Sequence, residues 1–142
     1  MPVKDSVFFD TNVLVYQFDK TAPRKQKRAV ELIERYGFDG KAVISTQVAQ
    51  EFMNVALRGF AVKLSPAELE LVIDDLLKPL CAHSPNFDFY KQALKLCATN
   101  SINFYDALIV QAALDCGCVR LYSEDMQDGQ QFGSLTIVNP FV

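Results

Sequence analysis

Short apolar runs alternate along this chain with segments of helical periodicity, and that alternation constrains its fold more than any other feature. Val7-Phe8-Phe9 is the first run and ends at Asp10. Pro23 suits the first turn of a helix whose apolar positions are Ala29, Val30, Leu32, Ile33 and Tyr36, with Gly37 placed to close it. Ala42-Val43-Ile44 reads as a second strand. Ser45 or Thr46 can cap the helix after it, which aligns Val48, Phe52, Val55 and Ala56 on one face. Ser65-Pro66-Ala67-Glu68 combines a capping box with a proline at the first helical position, and the pattern predicts a helix that stops before Pro79. Leu80 to His83 reads as a weaker third strand, and Ser84-Pro85 as the opening of a helix carrying Tyr90, Ala93, Leu94 and Cys97. Asn103 caps a further helix that buries Ala107, Leu108, Val110, Ala112 and Leu114 and ends at Gly117. Val119 to Tyr122 and Leu135 to Val138 complete the strands. Such alternation predicts an α/β fold around a largely parallel sheet. No repeat or composition shift divides the chain, so one domain over 1–142 is expected.

Composition narrows the function classes. Half of the 142 residues are apolar and 22% are charged, enough to build a core and to disfavour disorder. The net charge of −3 argues against binding nucleic acid through the whole surface. Any such contact must be local, and Lys20, Arg24, Lys25, Lys27 and Arg28 form one basic patch. It reads either as a solvated helix start or as an edge that touches phosphate. No apolar stretch approaches the ~18 residues of a membrane span, so a cytoplasmic protein is expected. Cys81, Cys97, Cys116 and Cys118 lack zinc-site spacing, and His83 is the sole histidine, so reduced structural thiols are expected.

The acids carry the chemistry. Asp10 and Asp125 each fall at or just past the carboxyl end of a strand, where open α/β sheets bind ligands. Asp106 falls in the first turn of its helix, and Glu51 borders the apolar stripe of the helix after the second strand. Carboxylates converging near an interior must protonate or bind a cation, and hard oxygen donors suit Mg²⁺ or Mn²⁺ better than zinc. Metal-assisted phosphodiester hydrolysis follows from such a site and needs no Ser, Cys or His nucleophile. On spacing alone each acid also has an ordinary reading: a turn for Asp10, a helix surface for Glu51, a cap partner for Asp106, loop polarity for Asp125.

Four blocks in order, FFDTNVLVY (Phe8 to Tyr16), ISTQVAQEFMNV (Ile44 to Val55), FYDALIVQAALDCGC (Phe104 to Cys118) and LYSEDMQDG (Leu121 to Gly129), resemble those of bacterial PIN-domain proteins. The similarity is greatest to the VapC-like toxin branch of type II toxin–antitoxin systems. The resemblance implies a PIN-like α/β fold, with a central, mostly parallel sheet of four to five short strands flanked by helices. It also implies an endoribonuclease using Mg²⁺ or Mn²⁺, with Asp10, Glu51, Asp106 and Asp125 as catalytic and metal-binding residues. Ser123 would orient the last acid, Asn12 would be a hydrogen-bonding neighbour of Asp10, and Asp128 would add a water-mediated metal contact. Arg24, Lys25, Lys27 and Arg28 are candidate RNA contacts. Implied partners are an RNA substrate, a small antitoxin and a second copy in a homodimer. The segment from Phe60 to Leu64 is a candidate clip or dimer contact.

Two rivals compete with this reading, one from another class and one a second enzyme. A non-catalytic RNA-binding or scaffold PIN domain would keep the fold and lack turnover; such domains often lose acids, and this chain keeps all four. A haloacid-dehalogenase-like phosphohydrolase also places an aspartate after its first strand, but resembles its relatives in a second aspartate two residues on, where this chain has Asn12.

Overall fold

The computed structural model describes residues 5–59 and 62–142. Its centre is β1 (Val7–Phe9), whose three side chains are fully buried. Consecutive burial of Val7, Phe8 and Phe9 requires cover on both faces, the condition under which parallel strands are stable. The neighbours of β1 are β2 (Ala42–Ser45) on one side and β4 (Arg120–Tyr122) on the other, both parallel to it. Beyond β2 lies β3 (Cys81–His83), and beyond β4 lies β6 (Leu135–Val138), again parallel. The order is β3-β2-β1-β4-β6-β5, with β5 (Gln131–Phe132) the single antiparallel strand among the described residues. The expected α/β class is therefore observed, with six strands among the described residues where four to five were expected. The extra strand, β5, pairs two residues with β6 through a turn at Gly133, whose φ of +60° suits glycine. Two residues are too few for an alternating pattern to show in the sequence.

The helices differ from expectation in four places. First, Thr11–Phe18 is a helix, α1, beginning directly after β1. Asp10 caps it by accepting the Thr11 N–H at 2.8 Å, so turn formers in Asp10-Thr11-Asn12 start a helix instead of a loop. Second, α2 (Pro23–Phe38) runs through Gly37, and the chain turns after it at Gly40, which has a φ of +69°. Third, α4 (Pro66–Val72) does not stop before Pro79. It passes through a π-turn, Ile73–Leu77, into α5 (Lys78–Leu80). The Lys78 N–H bonds the Ile73 carbonyl, a widened turn immediately ahead of a proline that has no N–H to give. Fourth, α6 (Phe87–Asn100) is capped by Asn86, whose Oδ1 accepts the Phe89 N–H at 2.8 Å, and not by Ser84. On it Ala93 is buried while Leu94 faces solvent.

Two helices match the sequence reading closely. Ser45 caps α3 (Thr46–Arg58), and Asn103 caps α7 (Phe104–Asp115). The Ser65–Glu68 capping box is formed in both directions. α1 packs against α2 and α3, while α6 packs along α7. Phe52, Leu32, Val48 and Val110 join Phe8, Leu121 and Ile137 in the core. All four cysteines are unbridged. Among the described residues no helix is long and apolar enough to cross a membrane. Phe60 and Ala61, part of the expected clip, lie outside the described residues.

Candidate acidic site at the strand ends

The chain runs outward from β1 in two directions, first to β2 and β3, then back to β4 and β6. β1 and β4 therefore flank the switch in strand order, the place where an open parallel sheet leaves a crevice at its carboxyl edge. Phe9 pairs with Tyr122, so the next residues on each strand, Asp10 and Ser123, are neighbours across that crevice. The Asp10 N–H bonds the Tyr122 carbonyl at 3.0 Å. Ser123 is fully buried and its hydroxyl donates to Asp10 Oδ2 at 2.7 Å. The same oxygen accepts the Asp125 N–H at 3.1 Å, which fixes the loop carrying Asp125.

Each of the four acids is held by a donor of its own. Asp10, 6% exposed, takes Ser123 Oγ and the Thr11 N–H. Glu51, on α3, takes Thr11 Oγ1 at 2.6 Å and Gln47 Nε2 at 2.9 Å. Asp106, in the first turn of α7, takes Asn103 Nδ2 at 3.0 Å. Asp125 takes Asn12 Nδ2 at 3.2 Å, while Asn12 Oδ1 accepts the Glu124 N–H. Asn12 was expected to hydrogen-bond Asp10, but its amide holds Asp125 across the crevice, while Ser123 serves both Asp10 and the Asp125 loop; Thr11 and Gln47 were not foreseen. The spacing of Gln47 to Glu51, one helical turn, is the signal that would have found the second.

The carboxylates also act on one another. Burial pushes the Asp10 carboxyl up to about 6, the bonds from Ser123 and Thr11 oppose the rise, and the like charges of Asp125 and Glu51 add to it. Partial burial likewise raises Asp106, against the bond from Asn103 and with the same two charges adding. Four acids from four separate segments thus share one electrostatic field. Two clefts of about 450 Å³ meet at Asp125. One is lined by Thr11, Asn12, Glu51 and Asn54, the other by Asn103, Asp106, Gln127 and Gln130.

The outer residues divide differently. Asp128 Oδ1 accepts the Asn139 N–H at 2.8 Å, tying the loop after β4 to the chain after β6. Lys25 lies beside the site, but its Nζ is 2.8 Å from Glu124 Oε1 and 4.9 Å from the Tyr16 ring centre. Arg28 Nε donates to the Pro140 carbonyl. Arg24 and Lys27 are exposed and make no ion pair among the described residues.

The sequence profile of the PIN domain matches residues 7–127, most of the chain. This protein belongs to the PIN-domain family. The span of the PIN match opens with β1 and closes just past Asp125, so all four acids fall inside it. A solved structure described as a toxin-antitoxin complex from Klebsiella pneumoniae contains a chain with the same fold, at a TM-score of 0.71. The similarity covers 96% of this chain and 98% of that one at 19% identity, a likeness of fold. No curated protein matches in sequence.

Whether this PIN domain suits a metal ion turns on its donor set. Among the described residues no three His, Cys, Asp or Glu side chains are gathered closely enough to hold an ion as they stand. The chemistry nonetheless fits a hard divalent cation. The donors are all carboxylate oxygens, and burial raises Asp10 and Asp106, with the like charges of Asp125 and Glu51 adding to it.

Proposed function

We propose that this PIN domain is a divalent-cation-dependent endoribonuclease, with Asp10, Glu51, Asp106 and Asp125 holding Mg²⁺ or Mn²⁺. One observation carries the reading: a carboxylate almost fully buried at the strand switch is repelled by two further acids that open onto adjoining clefts. A bound cation would supply charge neutralisation and a water of lowered pKa for phosphodiester hydrolysis. The chain's own part is positional. Ser123 and the Thr11 N–H aim the Asp10 carboxylate, and Thr11 Oγ1 with Gln47 fix Glu51. Asn103 and Asn12 restrain Asp106 and Asp125 on either side of the crevice.

The substrate fits single-stranded RNA, because two clefts flanking the acids give a strand a path across them and α2 exposes Arg24 and Lys27 to meet phosphate. The solved relative of like fold is described as part of a toxin-antitoxin complex, which supports assigning this chain to the toxin side of such a pair. In that setting a small antitoxin would mask the clefts and the chain would pair as a homodimer.

The purified protein should cleave single-stranded RNA in Mg²⁺ or Mn²⁺, stop on addition of EDTA, and be inactive as Asp10→Asn. Turnover by a pure Asp10→Asn protein would sink the assignment. The spacing of the carboxylates favours a second reading, a non-catalytic RNA-binding PIN domain. RNA binding with no cleavage across a broad RNA panel, in either metal, would select it.

A further inference from the structure

A third cavity opens next to the acids on the side of α3 and β3, with a volume of about 180 Å³. That is below the roughly 300 Å³ at which drug-sized pockets begin, and it suits a single ring system. Its walls carry the rings of His83, Phe89, Tyr90 and Tyr105 and the amides of Gln47 and Gln50. The His83 and Phe89 rings lie 4.5 Å apart between centres, and His83 Nε2 is held 3.2 Å from Asp115 Oδ2. Tyr105 is 70% exposed, a large aromatic face left in solvent one residue before Asp106. The cavity joins the acidic site through Gln47, which lines it and donates to Glu51 Oε1 at 2.9 Å.

We infer that this cavity receives one unpaired base of the RNA strand, stacked on Tyr105 and read at its edge by Gln47 and Gln50. The inference rests on the ribonuclease reading and specifies which part of the substrate sets its preference. Aromatic rings accept any base by stacking, whereas amide groups present both a donor and an acceptor to a base edge. Gln47 is half-buried and Gln50 exposed; a base seated over them takes their amides out of water, where a mismatched edge would leave them unpaired at a cost. A single-stranded substrate is required, since a base within a duplex cannot leave its stack without added cost.

The test uses Asp10→Asn protein, expected to leave RNA intact, and two sets of short single-stranded RNAs carrying a fluorescent purine (2-aminopurine) or a fluorescent pyrimidine (pyrrolocytosine) at successive positions. One position near the cleavage point should lose fluorescence on binding as the base stacks. The loss should vanish when Tyr105→Ala is added and persist with Tyr105→Phe. In the otherwise unaltered protein, Tyr105→Ala should raise KM roughly tenfold, with the loss in KM rather than kcat. No change in fluorescence at any position, or the same change in Tyr105→Ala, would overturn the base pocket while leaving cleavage intact. Quenching by Tyr105 in a protein that cleaves no RNA would uphold the pocket and refute the nuclease.

Discussion

The Ser123 hydroxyl donates to Asp10 Oδ2 at 2.7 Å although the two residues are 113 positions apart, because β1 and β4 place them side by side at the end of one parallel ladder. Ser123 is the joint of the site, since its oxygen also accepts the Asp125 N–H. Ser123→Ala removes both contacts from a fully buried position and should cost about 1–3 kcal/mol in denaturant unfolding. Outer hydrogen bonds of this kind typically tune metal affinity 10–100-fold, so Mn²⁺ binding should weaken by roughly that factor. Ser123→Thr, which keeps the hydroxyl, should retain most of both.

Asp10→Asn should stabilise the metal-free protein while abolishing its activity. The folded carboxyl titrates at about 6 against an ordinary 3.8, so between those values the folded chain keeps a proton that the unfolded chain has lost. Stability therefore falls as pH rises from about 4 to about 6, by about 3 kcal/mol from this group alone. The raised Asp106 acts in the same direction. Guanidinium unfolding in EDTA should show the wild type losing stability between pH 4.5 and 7.5, and Asp10→Asn losing distinctly less. Equal slopes in the two proteins would contradict the burial argument.

The bond from Thr11 Oγ1 to Glu51 Oε2 at 2.6 Å makes these residues a unit. Thr11→Val keeps the shape and removes the donor. In a double-mutant cycle with Glu51→Gln, read by Mn²⁺ affinity, the pair should couple by roughly 0.5–3 kcal/mol. Additive effects would mean that Thr11 serves only the cap of α1.

The basic residues of α2 should separate by their partners. Arg24 and Lys27 are free to meet phosphate, so each change to alanine should reduce the salt slope of RNA binding by about one unit. Lys25 is engaged with Glu124 and Tyr16, and Glu124 Oε2 is buried with no hydrogen-bond partner. Lys25→Ala should lower the Tm and leave the salt slope nearly unchanged.

How much of this was legible in the sequence depends on what each feature needed. β1 was readable as an apolar run, and β2, α3 and α7 because each combines an apolar run or stripe with a nearby cap, Ser45 or Asn103. α1 was not, because Asp10-Thr11-Asn12 favours turns and helix caps alike, and only the packing of Val13 and Leu14 into the core decides between them. The passage of a helix through Pro79 depended on a π-turn that no local propensity encodes. Within the site, the four acids were named from strand ends and block similarity. Their clamps depend on strand order, and the Asp10–Ser123 contact exists only because β4 lies beside β1. The pairing of Lys25 with Glu124, 99 positions away, was beyond any local signal.

The central claim is that acids from four segments act as one cation site, and calorimetric titration with Mn²⁺ near pH 6 tests it most directly. The wild type should bind Mn²⁺ with release of protons, because Asp10 must give up its proton to become a ligand. Asp10→Asn and Asp106→Asn should each lose that binding. Uptake of Mn²⁺ by either variant with wild-type affinity, or no binding by the wild type, would contradict the account.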